Sequence, residues 1–474
     1  STLLFFSNFS QVESALAPWI RAGLDPNGVF RDATLLASMR AGFHDLAGAF
    51  LRGYTLVGVD LRGADMRNCT LEDADLTDAN LTGADLTSAY VLRATLRGAT
   101  LRDARFINAT LGGARLGCNR LAPPECRPAI VIGTNFTGAL LVGGGRATDM
   151  ANLDLRGGTL VNADLRGVDF QTADLRQANL TGANLTGLDL RTARFVLATL
   201  TDARFASTQL NGLDLRLVVA IRTDFTSARL DQVNLSGATF QGADLTSARL
   251  DGANATGTDL LGARLPGAGL AGTRFIDANL RGATLRGAVG TPDQHADFTR
   301  ADLRGALLAG ADLRNADYCQ ALVDQAEFAG AQLNEEIGFV TEGLDANGVY
   351  QLDDIITRLT RGGAPVTDLR CARFVDADMA GANFTAVTRW GNARFERVNL
   401  RGANFTGRNL IGVAFSESPL AGANLTSAIG VELDLTGADL SGATLTDASF
   451  EDARLGGADL RNVIASRVDA RGVD

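Results

Sequence analysis

A large apolar residue, usually Leu or Phe, recurs at every fifth position from Leu46 onward, and a small Ala usually stands two positions before it. The repeating unit reads Ala-Asp/Asn-Leu-x-Gly, as in Ala74-Asp75-Leu76. An amphipathic helix requires apolar residues three and four apart, and a half-buried strand requires them two apart. A period of five fits neither element. It therefore indicates a chain that turns once in each unit.

Stacking of such units predicts a solenoid. If each unit forms one side of a coil, Ala and Leu or Phe point inward, and Gly relieves the corner where φ is positive. Four sides give a square coil of twenty residues, and successive coils pair through backbone hydrogen bonds at about 4.8 Å. The outward positions are polar in most units, so the burial pattern is self-consistent.

This pattern resembles the pentapeptide-repeat family, whose fold is a right-handed quadrilateral β-helix. The resemblance covers most of the chain and implies an all-β solenoid with this cross-section. It places Leu76 and Ala74 in the core, and Asp75, Thr77 and Asp78 on the surface. It implies no catalysis, because members of the family act mainly by presenting a surface.

The repeat is interrupted at several places. Centres run to Leu121, and the three prolines between Ala122 and Pro128 then predict a protruding loop, because proline cannot donate to a backbone ladder. The phase slips by one residue between Leu141 and Met150, and it moves again beyond Ala288. We therefore expect one β-helix over 44–333, with loops near 122–130, 142–148 and 288–296.

Non-repetitive segments flank or divide the β-helix. Residues 334–366 lack the period and carry six acids against two Arg, so we expect an acidic insertion before a second run over 367–474. Residues 1–43 are expected to form a helical N-terminal cap. An eight-residue motif, Gly23–Phe30, is echoed by Gly343–Tyr350, and the stretch after each copy has helical spacing, over Asp32–Arg40 and Leu352–Arg361. Short capping helices are expected because solenoid ends expose core and unpaired edges.

The composition disfavours several classes of function. All 44 basic residues are Arg, and the net charge of −10 argues against direct nucleic-acid binding. His44 and His295 are the only histidines in the sequence, and neither belongs to a pattern of metal ligands or acid-base residues. No apolar run is long enough for a membrane span. We therefore expect no enzyme, no metal and no cofactor.

Five cysteines are too few and too scattered for a disulfide framework. Cys118 and Cys126 bracket the irregular stretch after the first run, and they form either a disulfide under oxidising conditions or two reduced thiols. No signal peptide is visible in the sequence, which favours the cytoplasm and leaves secretion open.

The period also predicts the surface, because residues twenty apart stack on one face. Two acidic columns follow, one of Asp45, Asp65 and Asp85 and the other of Asp149, Asp169 and Asp189. The triplet Asp-Leu-Arg occurs repeatedly, as at Asp60-Leu61-Arg62, so many outward acids have an Arg two residues later. A mosaic of both charges is expected.

Two functions remain open on this evidence. The family resemblance implies that the chain binds a type II topoisomerase, such as DNA gyrase, by mimicking a DNA duplex. The interleaved Arg favours instead a rigid scaffold for an unidentified protein partner or for self-association through ends or faces, because a duplex mimic needs sustained negative charge. A topoisomerase mimic is expected to use the acidic columns, and a scaffold is expected to present its faces and loops, the first loop among them. The candidate partner-binding residues are Asp45, Asp65, Asp85, Asp149, Asp169, Asp189, Pro123, Pro124, Glu125 and Arg127.

Overall fold

The structure is a computed structural model that describes residues 18, 22, 32–118, 125–143, 147–291, 294–333, 340, 344–347 and 350–474. The chain divides into two compact units, Ser1–Arg249 and Leu250–Asp474. Both units are built from the same five-residue element. The expected boundaries of the cap, the insertion and the two runs remain a prediction.

Each five-residue element forms one side of a square coil. The residue before each centre makes a parallel bridge to the residue twenty positions later, as Asp45 does to Asp65. The centre Leu46 and the alanine at position 49, which stands two residues before the next centre, are fully buried. The predicted inward and outward positions are confirmed in most coils, whereas the centre Leu460 near the end of the second run is 45% exposed. The fold is an all-β solenoid, a right-handed quadrilateral β-helix.

A turn closes every side. The centre's carbonyl accepts a hydrogen bond from the amide three residues on, as Leu46 O does from Ala49 N at 3.0 Å. The second residue after the centre has a positive φ, for example 69° at Gly48 and 58° at Asp73. A positive φ at this position is typical of a type II turn, which explains the frequent Gly and Asn.

Backbone hydrogen bonds join each side to the next coil. Leu46 N donates to Asp65 O at 2.7 Å, Gly48 N donates to Arg67 O at 2.8 Å, and Asp65 N donates to His44 O at 2.9 Å. These three bonds recur along the units and satisfy groups that would otherwise be buried without partners.

Aromatic centres stack along the core. The Phe225 ring lies 5.2 Å from the rings of both Phe205 and Phe240, measured between centroids. In the second unit, Phe384 stacks on Phe405 at 4.6 Å. Such pairs add about 0.5–1.5 kcal/mol each beyond the burial of their area.

The interruptions are extra residues at single corners. Thr100 pairs with Ile130, so ten residues are added around the first loop, and Asn135 pairs with Thr159, so four are added near 142–148. Arg274 pairs with Asp297, which adds three residues near 288–296. Val131, Phe136 and Leu141 are buried and resume the phase as predicted. Leu121, the predicted last centre before the loop, lies outside the described residues.

Two helices accompany the β-helix in the described parts. Helix α1 covers Asp32–Arg40 and helix α2 covers Leu352–Arg361, the two stretches expected to be helical. Each buries two apolar side chains, which are Leu35 and Met39 in α1, and Ile355 and Leu359 in α2. The motif Gly23–Phe30, the first copy of the duplicated sequence, lies outside the described residues.

The second run begins with two short parallel strands. Strand β1 (Arg373–Val375) pairs with β2 (Arg394–Glu396), twenty-one residues later. The extra residue lies before Trp390, whose indole N–H donates to Val387 O at 3.2 Å. From Arg394 onward the offset returns to twenty.

Candidate interaction surfaces

The first acidic column is present as predicted. Asp45 bridges to Asp65, Asp65 to Asp85, and Asp85 to Arg105. The charges are partly compensated in place, because the Arg67 guanidinium lies 2.6 Å from the Asp65 carboxylate. The Thr87 hydroxyl donates to Asp85 at 2.5 Å.

The second acidic column is only partly exposed to solvent. Asp149 bridges to Arg115 and to Asp169, but the residue is 3% exposed and its carboxylate accepts a hydrogen bond from Arg97 at 2.9 Å. Asp149 therefore departs from its expected surface position, because it pairs with this arginine at the base of the first loop. Asp169 is half-buried and accepts the backbone N–H of Gln171 at 3.1 Å. Asp189 is exposed and pairs with Arg191 at 2.7 Å.

The two columns lie on opposite faces of the first unit. The column that contains Asp149 descends through Arg115, Thr95 and Asp75 to Thr55. Thr55 stands ten residues, or two corners, after Asp45. A single flat partner therefore cannot contact both columns. The residue numbers alone do not reveal that the columns lie on opposite faces. The two insertions between the columns lengthen the coils that contain them beyond twenty residues.

The first loop is closed by a disulfide. Cys118 and Cys126 are bonded, which resolves the two alternatives that the sequence left open. Glu125 and Arg127 are exposed, and the Arg127 guanidinium pairs with Asp78 at 2.8 Å. The prolines at positions 123 and 124, which we also expect to contact a partner, lie outside the described residues.

Open grooves flank this loop on the face that carries Asp169. One is lined by Asn152, Asp169 and Gln171, and the other by Thr77, Arg97 and Glu125, among others. Arg97 anchors the base of the loop by donating to Gly117 O at 3.0 Å. Both grooves are open to solvent and lined mainly by polar residues, which suits contact with a surface better than enclosure of a small ligand.

A second disulfide joins Cys319 to Cys371. Sequence reasoning missed it because the cysteines are 52 residues apart and the acidic insertion separates them. Gln320 N donates to Cys371 O at 2.8 Å, so the two runs are adjacent in the second unit. The remaining cysteine, Cys69, is a buried thiol whose pKa is raised to about 12 by burial.

Ion pairs within the repeat neutralise much of the surface. In Asp174-Leu175-Arg176, Arg Nε donates to Oδ1 at 2.8 Å, Nη2 donates to Oδ2 at 2.5 Å, and the Arg backbone N–H donates to Oδ1 at 3.2 Å. All the Asp-Leu-Arg triplets form this pair, with distances from 2.5 to 2.8 Å. The hydrogen bonds from Arg62 lower the pKa of Asp60 to about 2.

The histidines and the potential metal ligands are dispersed in the described parts of the chain. His44 contacts Asp60 O at 3.2 Å through Nε2, and His295 is exposed. Across the described ranges, no group of three or more His, Cys, Asp or Glu side chains is placed to hold a metal ion. No helix within those ranges combines the length and apolar character that a bilayer crossing requires.

Comparison with solved structures finds pentapeptide-repeat proteins. HetL, involved in heterocyst differentiation regulation in the cyanobacterium Nostoc sp. strain PCC 7120, is 23% identical over 64% of this chain and 90% of its own, with a TM-score of 0.18. The plasmid-mediated fluoroquinolone resistance protein QnrB1 is 23% identical over 39% of this chain and 87% of its own, with a TM-score of 0.21. No functional argument follows from matches at these scores.

A further solved relative comes from the thylakoid lumen of Arabidopsis thaliana. It is 29% identical over 24% of this chain and 68% of its own, with a TM-score of 0.13. No curated protein matches the sequence significantly. The family profile described as pentapeptide repeats matches residues 45–117, 148–195, 198–289, 296–335 and 388–474. These ranges cover well over half of the chain, which therefore belongs to the pentapeptide-repeat family.

Proposed function

We propose that this protein is a non-enzymatic scaffold that presents its faces and loops to a protein partner. The observation that carries the proposal is the pairing of Asp and Arg within the Asp-Leu-Arg triplets. The surface is ordered and polar, yet its charges are compensated in place. Such a surface suits recognition by shape and by individual contacts more than attraction to a strongly charged partner.

The alternative function is DNA mimicry directed at a type II topoisomerase. The stacking of Asp45, Asp65 and Asp85 on one face favours it. The density of negative charge disfavours DNA mimicry. Three carboxylates on adjacent coils span about 10 Å, whereas duplex DNA carries one negative charge per about 1.7 Å. Arg67 and Arg105 further reduce the net charge of this column.

A supercoiling assay separates the two functions. If the protein mimics DNA, the wild-type chain inhibits supercoiling by purified gyrase, and Asp65→Arg abolishes the inhibition. The control is Asp459→Arg, which alters an equivalent ion-paired acid in the second unit. If the wild-type protein has no effect at low salt, the mimic is excluded.

The scaffold is tested by capture of partners from the source cell. Affinity-tagged wild-type protein is compared with the double variant Glu125→Lys and Arg127→Glu, and with Asp459→Arg as the control. We expect a partner that is retained by the wild type and the control and lost by the loop variant. Identical retention by all three proteins would contradict a role for the first loop, and absence of any specific partner would contradict the scaffold.

A further inference from the structure

One column of the first unit carries large apolar side chains on the outside. Phe50, Thr70, Tyr90, Thr110 and Leu140 bridge to one another in this order and occupy five successive coils. Phe50 is 67% exposed, Tyr90 54% and Leu140 46%. We call these five residues the aromatic column. None of the five is charged, whereas each of the other three columns in these coils contains at least one charged residue.

The aromatic column alternates large and small side chains. Phe50, Tyr90 and Leu140 project from the first, third and fifth coils, and a threonine stands between each pair. Equivalent sides repeat at about 4.8 Å, so the projections are about 10 Å apart, with a gap at each threonine. This pattern is self-complementary when a second copy packs against the same face with its solenoid axis antiparallel. The second copy must also be shifted by one coil along that axis, so that large side chains lie opposite threonines.

In that register, the first coil of one copy lies opposite the fourth coil of the other, and the second lies opposite the third. Phe50 then faces Thr110, and Tyr90 faces Thr70. A two-fold axis along the strand direction generates this arrangement, in which the same patch serves both copies.

The charges beside the column obey the same symmetry. Arg93 pairs with Asp73 at 2.8 Å and also with Glu72, and these acids lie on the second coil while Arg93 lies on the third. The two-fold register places Asp73 of one copy opposite Arg93 of the other. Because opposite charges then meet across the contact, it is electrostatically complementary without rearrangement.

We propose that two copies of this chain associate through the aromatic column in this antiparallel register. The occupant of the face is thus a second copy. The contact extends over four coils, or roughly 200 Å² of flat surface per copy, against about 800 Å² in a stable complex. The association is therefore weak, with a dissociation constant on the order of 100 µM or above.

Sedimentation velocity of the full chain from about 10 µM to about 1 mM tests the association. We expect the weight-average sedimentation coefficient to rise with concentration. Tyr90→Arg is expected to weaken association at least tenfold, because it places a cation against Thr70 and the column of the copy. The matched control is Ile130→Arg, which changes a residue of 45% exposure on another face. A chain that stays monomeric throughout, or an association equally strong in both variants, would overturn the proposal.

Cross-linking tests the register. Phe50→Cys and Thr110→Cys chains are prepared separately, mixed, and treated with a short thiol-reactive bismaleimide. The introduced thiols would be the accessible ones, because four native cysteines are bonded and Cys69 is buried. We expect a covalent dimer from the mixture and little from Phe50→Cys alone, since opposed positions lie about 10 Å apart across the contact, whereas two Phe50 positions would be displaced by a further 14 Å or so along the coils, beyond the reach of a short cross-linker. Equal cross-linking of Phe50→Cys with itself would exclude this register.

Discussion

At the scale of single residues, the inward centres hold the fold together. Phe225 has no exposed surface and stacks between two other phenylalanines. Phe225→Asp would bury a carboxylate without a partner, and we expect a loss of about 3–5 kcal/mol in the free energy of unfolding. Chemical denaturation followed by circular dichroism measures it. The control is Tyr90→Asp, at a position that is 54% exposed, with a change within about 0.5 kcal/mol. Equal effects of the two variants would contradict the assignment of inward and outward positions.

Tyr318 occupies an inward centre position and carries a buried hydroxyl group. The side chain is fully buried and stacks on Phe298 at 5.1 Å, and its hydroxyl has no hydrogen-bond partner among the described residues. Burial raises the pKa of this phenol well above its ordinary value. We expect Tyr318→Phe to increase the free energy of unfolding by about 1 kcal/mol, because it removes an unsatisfied donor without changing the packing. Denaturation with Tyr90→Phe as the exposed control measures this, and a destabilised Tyr318→Phe would show that the hydroxyl is satisfied in solution.

At the scale of the five-residue element, the turn restricts the choice of residue most strongly, because its second residue after the centre has a positive φ. Leu217 occupies the turn position with a φ of 57° and a side chain that is 53% exposed. The left-handed conformation costs a non-glycine residue roughly 1–2 kcal/mol. We therefore expect Leu217→Gly to stabilise the first unit by about 1 kcal/mol, measured by denaturation. The reciprocal change, Gly212→Leu, where φ is 75°, should destabilise it. Opposite signs would contradict this account of the turn.

The same scale shows how far the sequence predicts this molecule. The five-residue period predicts the cross-section and the inward positions, and helical spacing of apolar residues predicts the two helices, because each depends on spacing within a short stretch of sequence. The period does not predict how many extra residues are inserted at a corner. That number places the column of Asp169 opposite that of Asp65, brings Asp149 to Arg97, and brings Cys319 to Cys371. These features depend on contacts between coils across an insertion, for which the sequence carries no periodic signal.

At the scale of the whole molecule, the ion pairs determine the response to acid. Burial alone would raise the pKa of Asp368, but hydrogen bonds from Arg370 and Arg389 outweigh it and lower the pKa below its ordinary value. The pKa of Asp60 is lowered to about 2. A carboxyl whose pKa is depressed in the folded state stabilises the fold above its unfolded pKa of about 3.9, and this contribution is lost as the pH falls through the folded value.

We therefore expect the melting temperature to fall as the pH is lowered from about 4 to about 2, and to change little between about 5 and 8. Thermal unfolding at a series of pH values measures this. Asp368→Asn, which removes one of the least exposed paired carboxylates, should show a shallower dependence at acid pH than the wild type. A melting temperature that is the same at both ends of the acid range would contradict the contribution of these pairs.

The corner insertions have a consequence for how this protein can change over generations. Additions of ten, four, three and one residue all leave the next coil in register with its neighbour, since each side is aligned by hydrogen bonds to the coil before it. Gene segments of almost any length can therefore enter at a corner without disturbing the core. Duplication of a twenty-residue segment would instead lengthen a unit by one coil. Sites on either side of that duplication would then separate by a fixed increment of about 4.8 Å, so such a protein can adjust the distance between bound molecules in uniform steps.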